Sequence, residues 1–241
     1  MRPSLGVVIP ALDEERRIGA AVGRAVELAD RVVVADGGSA DGTAAVARRA
    51  GARVVLSPRG RGVQLNRGAA GLDTDLLLFL HADTELPPEA PRLVREAVAA
   101  GHVGGGFLLR WDSTRPVYRL GERIVNLRTR WTRAPLGDQA QFCTREAFGV
   151  LGGFREWPVL EDLDFIRRLG RLGPAAVLPA PVTTSTRRFD RHGLACSIAR
   201  NWLIVALWAV GVPPRRLGRL YHGRPDPTRP AALGDARPPA P

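Results

Sequence analysis

Three polar clusters stand at the points where apolar runs end. Leu5–Ile9 runs into Pro10-Ala-Leu-Asp-Glu-Glu15, Arg31–Ala35 into Asp36-Gly-Gly-Ser-Ala-Asp-Gly-Thr43, and Asp75–Leu80 into His81-Ala-Asp-Thr84. Each alone could be a turn or a helix cap. Ligands of an open parallel sheet, though, gather at the carboxyl ends of its strands. Three acidic exits on one edge therefore read as a binding site. Arg59, Arg61 and Gln64 add a basic counterpart where another strand yields to a helix. Glycines alternating with arginines let backbone amides and guanidinium groups approach one anion together, and a diphosphate or a nucleotide base would suit them. A solvated loop is the alternative.

The elements that must position these groups alternate. Strands are predicted at Leu5–Ile9, Arg31–Ala35, Ala52–Leu56 and Asp75–Leu80, with helices at Glu14–Asp30, Asp41–Ala50 and Val63–Leu72. In the first helix Ile18, Ala21, Val22, Ala25, Val26 and Ala29 recur at helical spacing. Ser39 or Asp41 is positioned to cap the second. Strands apolar on both faces and separated by helices specify a parallel sheet covered on both sides, so the class is α/β. After Asp83 the rhythm changes. Helices are predicted at Pro91–Ala100, Arg115–Arg133 and Glu161–Leu172, and strands at Val103–Trp111 and Gln139–Thr144. Extended segments follow near Ala176–Pro179 and Val182–Ser185.

Leu194–Val212 is the most apolar stretch, but a bilayer span needs about 20 residues, and Arg200 and Asn201 interrupt it. It reads as a core-packed helix or as a helix lying on a membrane surface. Beyond Gly223 the chain is rich in Pro, Arg and Ala without periodicity, the mark of a disordered tail.

The net charge of +11 resembles a nucleic-acid signature, yet all 35 basic residues are arginine. With heavy use of Ala, Gly and Pro, that bias points to a GC-rich genome. No aromatic platform or nucleic-acid motif accompanies it, so nucleic acid is not an expected partner. The charge still favours nucleotides, phosphates or lipid head groups. Cys143 and Cys196 lie far apart, without metal-ligand spacing, and read as reduced thiols. The apolar run Leu5–Leu12 meets Asp13, Glu14 and Glu15 at once, which is no secretory signal. A cytoplasmic protein is expected, with contact at the inner face of the membrane open through residues 194–212.

A dinucleotide-binding reading fails, because no G-x-G-x-x-G follows the first strand, and a Walker A loop is absent too. The runs VVIPALDEERRI, VVVADGGSADGTAAVARRAGARVV, PRGRGVQLNRGAA and LLLFLHADTELPP, followed by GDQAQFCTREAFGVLGGF and LEDLDFIRRLGRLG, instead resemble family 2 glycosyltransferases of the GT-A fold. The resemblance covers roughly residues 4–220. RGRGVQLN, HADT and RRFDRHG are further similar to a small bacterial subgroup whose genes lie near radical-SAM and arsenosugar biosynthesis genes. One domain over residues 1–222 follows, with a nucleotide half to about residue 85 and an acceptor half beyond it.

The resemblance implies roles. Pro10, Leu12 and Glu14 would line the base and ribose pocket, together with Gly38 and Ala82. Asp36 would accept hydrogen bonds from the base or its sugar, or cap the turn at Gly37-Gly38. The family's D-x-D metal motif reads His81-Ala-Asp83 here, a departure that leaves Asp83 to bind Mn²⁺ or Mg²⁺ beside the donor phosphates. Imidazole suits Mn²⁺ better than Mg²⁺, so His81 is free to face the sugar or ribose. His192 would complete the metal shell, or sit at the surface. Glu161-Asp162 matches the family's ED motif, with Asp162 as the general base of an inverting transfer and Glu161 positioning it or the acceptor. Both could instead be favourable first-turn charges. Asp138 and Gln139 would hydrogen-bond the transferred sugar, unless Asp138 is a turn residue. The implied donor is a nucleotide sugar, UDP-sugar before GDP-sugar. The acceptor is a small molecule or a lipid phosphate. Nucleotidyl transfer or nucleotide-sugar hydrolysis would use the same pocket.

Overall fold

The apolar runs form strands with both faces covered. In the computed structural model, which describes residues 2–187, 189 and 193–222, β1 (Leu5–Ala11), β2 (Arg31–Asp36), β3 (Arg53–Leu56) and β4 (Leu76–Phe79) lie parallel. Successive strand side chains point to opposite faces. Leu5, Val7 and Ile9 accordingly join one core cluster, and Val8 the other. The first face is covered by α1 (Glu15–Leu28), α2 (Thr43–Arg49), α4 (Ala90–Ala99) and α5 (Pro116–Thr132). The second is covered by α3 (Arg61–Ala70), α6 (Arg145–Leu151) and α7 (Glu161–Leu172). There Phe154 stacks on Phe165 with ring centroids 4.1 Å apart and meets Phe79 edge-on at 4.7 Å.

The sheet runs β3-β2-β1-β4-β7-β6-β8-β5. β7 (Phe142–Thr144) is antiparallel to β4 and to β6 (Gly104–Trp111), while β8 (Ala175–Thr184) runs parallel to β6. The α/β class and the mostly parallel sheet are as the sequence implies. Beyond the helices Arg145–Leu151 and Pro214–His222, which were not foreseen, three details of the strands differ. The strand expected over Gln139–Thr144 is only Phe142–Thr144, because Gly137–Gln139 winds into a 3₁₀ turn and Ala140 adopts φ 46°. The two late extended segments are one strand, β8, whose register shifts opposite Phe107 and Leu108, in the stretch that holds Pro179 and Pro181. A short strand, β5 (Thr84–Glu85), was not foreseen. It pairs with the end of β8, so Asp83 is followed at once by an anchored segment. The Thr84 and Thr184 hydroxyls meet at 2.8 Å, and Ser185 N–H donates to the Asp83 carbonyl at 3.2 Å.

Leu194–Ala209 forms α8 and Pro214–His222 forms α9. Ile204 and Leu217 pack with Val159 in a third cluster, and Trp208 meets Trp157 edge-on. The helix is thus core-packed along one side, with Trp202 and Leu203 exposed on another. Among the described residues no helix is long and apolar enough to cross a membrane. His192 and the tail beyond residue 222 lie outside the described residues. Cys143 is buried and Cys196 exposed, and both are free thiols.

Candidate active site

A cleft of about 260 Å³ opens beyond the carboxyl ends of β1 and β4. The exit of β1 supplies Pro10, Ala11, Leu12 and Glu14, the first turn of α3 supplies Arg61 and Gln64, and the segment after β4 supplies His81, Ala82 and Asp83. Asp36, Gly38 and Arg59 stand outside these walls but close by. Arg59 Nη2 reaches the Gly38 carbonyl at 3.4 Å. Asp36 Oδ1 accepts from Ser39 N–H at 3.1 Å and from the Ser39 hydroxyl, so this oxygen does cap the turn. Ser39 Oγ in turn accepts from Asp13 N–H at 3.0 Å, which links the exits of β1 and β2. Sequence reading weighed Ser39 only as a helix cap. Neither expected cap is seen: the helix opens at Gly42 without a side-chain cap, and Asp41, one residue earlier, accepts from Thr43 N–H at 3.0 Å.

Gln64 is buried, and its amide nitrogen donates to the carbonyls of Ala11 and Ala35 at 2.8 and 2.9 Å. It ties the ends of β1 and β2 together, leaving only its carbonyl oxygen to a ligand.

Arg61 and the first turn of α7 form an ionic cluster. Arg61 Nε donates to Glu161, and Arg61 Nη2 lies 3.9 Å from Asp162 Oδ2. A glycine at 62 permits this approach, since a Cβ there would sit 2.4 Å from the Arg155 carbonyl oxygen. Leu160 precedes the pair with φ 66°, a strained conformation for a branched residue, and strain of this kind concentrates at functional sites. Burial works against the Arg61 charge, but Glu161 and Asp162 outweigh it and hold the guanidinium charged. Burial pushes the Glu161 carboxyl up, partly offset by Arg61. Glu161 is 1% exposed, and its carboxylate is engaged by Arg61.

Asp162 resists burial and stays below the usual carboxylate range, because of Arg61 and two backbone donors. Oδ2 accepts from Gly137 N–H at 2.8 Å and Oδ1 from Leu163 N–H at 2.8 Å. A Cβ on Gly137 would lie 3.0 Å from Asp162 Oδ2 and 3.2 Å from His81 Nε2. The imidazole therefore shares a corner with Asp162.

Asp138 sits beside this corner on the 3₁₀ turn. Among the described residues its carboxylate takes a hydrogen bond only from its own backbone N–H. Burial, and then the charge of Asp162, push it up to about 6. Its folded value exceeds its unfolded one, so its contribution to stability is full below the unfolded value and is lost as pH rises through about 6. Asp138→Asn should accordingly raise the melting temperature at pH 7.5, by a few degrees for a gain on the order of 1–2 kcal/mol. The gain should vanish near pH 4. An equal shift at both pH values would show that the Asp138 charge carries no cost.

Gln139 corrects the sequence reading. It is fully buried, its Oε1 accepts from Arg128, Thr129 Oγ1 and Leu136 N–H, and its Nε2 donates to the Phe107 carbonyl at 2.9 Å. With both ends engaged inside the protein it cannot bind sugar hydroxyls. It braces the turn that carries Asp138.

On the same cleft, Glu14 and Asp83 converge on Arg187, at 3.0 and 4.0 Å. Burial and the nearby Glu14 charge push the Asp83 carboxyl up, against the pull of Arg187. Glu14 Oε2 is buried without a hydrogen bond among the described residues, with Arg17 Nη1 3.6 Å away. Crowded carboxylates with an oxygen that takes no hydrogen bond fit a hard divalent cation. Among the described residues no three His, Cys, Asp or Glu cluster as a complete metal shell, so donor phosphates would have to supply ligands. Arg187 is a member of this site that sequence reading missed; its only signal was the arginine-rich run around His192.

The mostly parallel, helix-covered sheet, with its polar cleft at the carboxyl edge, has the GT-A glycosyltransferase fold. The fold matches glucosyl-3-phosphoglycerate synthase from Mycobacterium tuberculosis, solved with Mn²⁺, UDP-glucose and phosphoglyceric acid, with a TM-score of 0.62 and 23% identity over 88% of this chain and 81% of that one. The model of Glycosyl transferase family 2 matches residues 6–155, and the chain belongs to that family. An uncharacterized glycosyltransferase of Mycobacterium tuberculosis is 37% identical over 157 residues, covering 61% of this chain and 70% of the relative. The succinoglycan biosynthesis protein ExoA of Rhizobium meliloti is 30% identical over 193 residues, and the chain spans 58% of its length.

Proposed function

We propose that this glycosyltransferase moves a sugar from a nucleoside diphosphate donor, UDP-sugar in preference, to an acceptor oxygen, of a small molecule or a lipid phosphate, with inversion at the anomeric carbon. The observation that carries this reading is the gathering of charged groups on one cleft. Glu14, Arg61, His81 and Asp83 line it, Arg187 lies against Glu14 and Asp83, and Asp162 stands beside Arg61 and His81. Residues 1–222 would act as one catalytic unit.

Pro10 and Leu12 would flank the nucleotide, with Asp36, Gly38 and Arg59 beyond them toward the base. Asp83 and Glu14 would hold Mn²⁺ or Mg²⁺, which when bound neutralises the growing charge of the leaving diphosphate. Arg61 and Arg187 would steady the phosphates. Asp162 would take the acceptor proton as the acceptor oxygen bonds to the anomeric carbon. The sugar–phosphate bond then breaks, and the nucleoside diphosphate leaves with its electron pair. His81 would orient the sugar. Asp138, whose carboxylate is less engaged, is the second candidate for the base.

The test is incubation with Mn²⁺ and a panel of nucleotide sugars, preceded by a thermal-shift screen of nucleotides. Preferential binding at 100-fold over Kd stabilises the native state by about 2.7 kcal/mol. Release of free nucleoside diphosphate on addition of acceptor supports sugar transfer. Release of pyrophosphate instead would mean nucleotidyl transfer, and release of diphosphate independent of any acceptor would mean hydrolysis.

A further inference from the structure

The outer face of α5 is apolar and, among the described residues, uncovered. Tyr118, Gly121, Glu122 and Thr129 are buried on the inner side. Val117, Leu120, Ile124, Leu127 and Trp131 are exposed, Leu127 at 70% and Trp131 at 86%. The five recur at alternating steps of three and four. At about 100° per residue they form a continuous stripe roughly 80° wide. Large exposed apolar patches mark contact surfaces.

The charges beside the stripe say which contact. At the same pitch Arg119, Arg123 and Arg130 form a row along one flank, and Arg133 follows the helix end. Glu122 is the helix's sole acid, and it is buried and bound to Arg119. A second copy pairing stripe to stripe would set Arg123 and Arg130 against arginines of its own kind, with no exposed acid on the helix to oppose them. An anionic bilayer satisfies both features. The stripe enters the acyl boundary, the arginines meet lipid phosphates, and Trp131 sits at the interface.

We propose that α5 docks this enzyme on an anionic phospholipid surface. The sequence pointed to residues 194–212 for such contact, but that helix turns Ile204 and Trp208 inward. α5 also braces the active site. Arg128 Nη2 and Thr129 Oγ1, on its inner side, donate to Gln139 Oε1 at 3.1 and 3.0 Å. A docked α5 holds the Asp138 turn at a fixed distance from the lipid plane. The inference stands independently of sugar transfer.

Flotation of the full chain with vesicles tests it. The protein should float with equimolar phosphatidylcholine and phosphatidylglycerol, not with phosphatidylcholine alone, and high salt should weaken the binding. Leu127→Glu with Trp131→Glu should lower the bound fraction at least tenfold, and Arg123→Ala with Arg130→Ala should remove the preference for phosphatidylglycerol. These side chains are exposed, so melting temperature should hold; Trp131→Ser serves if the double glutamate variant misfolds. Failure to float on anionic vesicles, or undiminished flotation of the stripe variants, overturns the proposal. So does a concentration-dependent dimer that the glutamates abolish without any effect on vesicles.

Discussion

Asp162→Asn should lower turnover by about 10² to 10⁴, the range for losing a general base, while donor KM changes little. Asparagine keeps the shape of the side chain and one oxygen to accept from Gly137 or Leu163 N–H, so the corner with His81 should persist. What disappears is the anionic oxygen. A loss confined to kcat marks a group that acts in the transition state, whereas a rise in KM alone would mark ground-state binding. Arg61 and the two backbone donors keep Asp162 ionised well below neutrality, so it is ready as a base but intrinsically weak. Asp138, pushed up to about 6, is the stronger base of the two. Measuring both asparagine variants decides between them. If Asp138→Asn carries the larger kcat loss and Asp162→Asn a small one, the base is Asp138 and Asp162 is its anchor. If neither affects kcat, the proposed chemistry fails.

Much of this cleft was legible because strand exits are written in local sequence. Apolar runs ending in Asp36 or in His81-Ala-Asp83 mark both the strand and what leaves it, and the parallel order then gathers the exits on one edge. The resemblance added Glu161-Asp162, whose partner lies a hundred residues away across the cleft in Arg61. Hydrogen-bond assignment was not legible. Gln64 and Gln139 look like ligand contacts in sequence, since nothing local shows whether an amide faces a cleft or a strand carbonyl. Gln64 spans two strand ends and Gln139 fills a fully buried socket beneath α5. The strand β5 escaped notice because two residues carry no periodicity, and its pairing with β8 depends on chain a hundred positions on. The apolar stripe of α5 was hidden for the opposite reason. Periodicity shows that a helix has an apolar face, and only the packed structure shows that this one faces outward.

The pair of part-exposed Arg61 with buried Glu161 gives the second large effect. Arg61→Leu should cost about 1–3 kcal/mol, the penalty for leaving one buried group unpaired, because solvent at the 38% exposed Arg61 side chain screens the pair. At roughly 2–4 °C per kcal/mol for a chain of this size, the melting temperature should fall by about 2–12 °C. Glu161, 1% exposed, would then face Asp162 without its guanidinium. Its carboxyl, already pushed up by burial, would rise further. A raised folded value means that stability is greatest below the unfolded one and drains away as pH increases, so the loss should be larger at pH 8 than at pH 5. Glu161→Leu in the same chain removes the stranded charge and should recover most of the stability, because apolar groups of similar volume replace buried pairs at little cost. It should not restore turnover, since Asp162 would still lack Arg61. Equal melting of Arg61→Leu and wild type would mean that the pair is solvated and does not fasten α3 to α7. Stability recovered together with activity would remove Arg61 from the site.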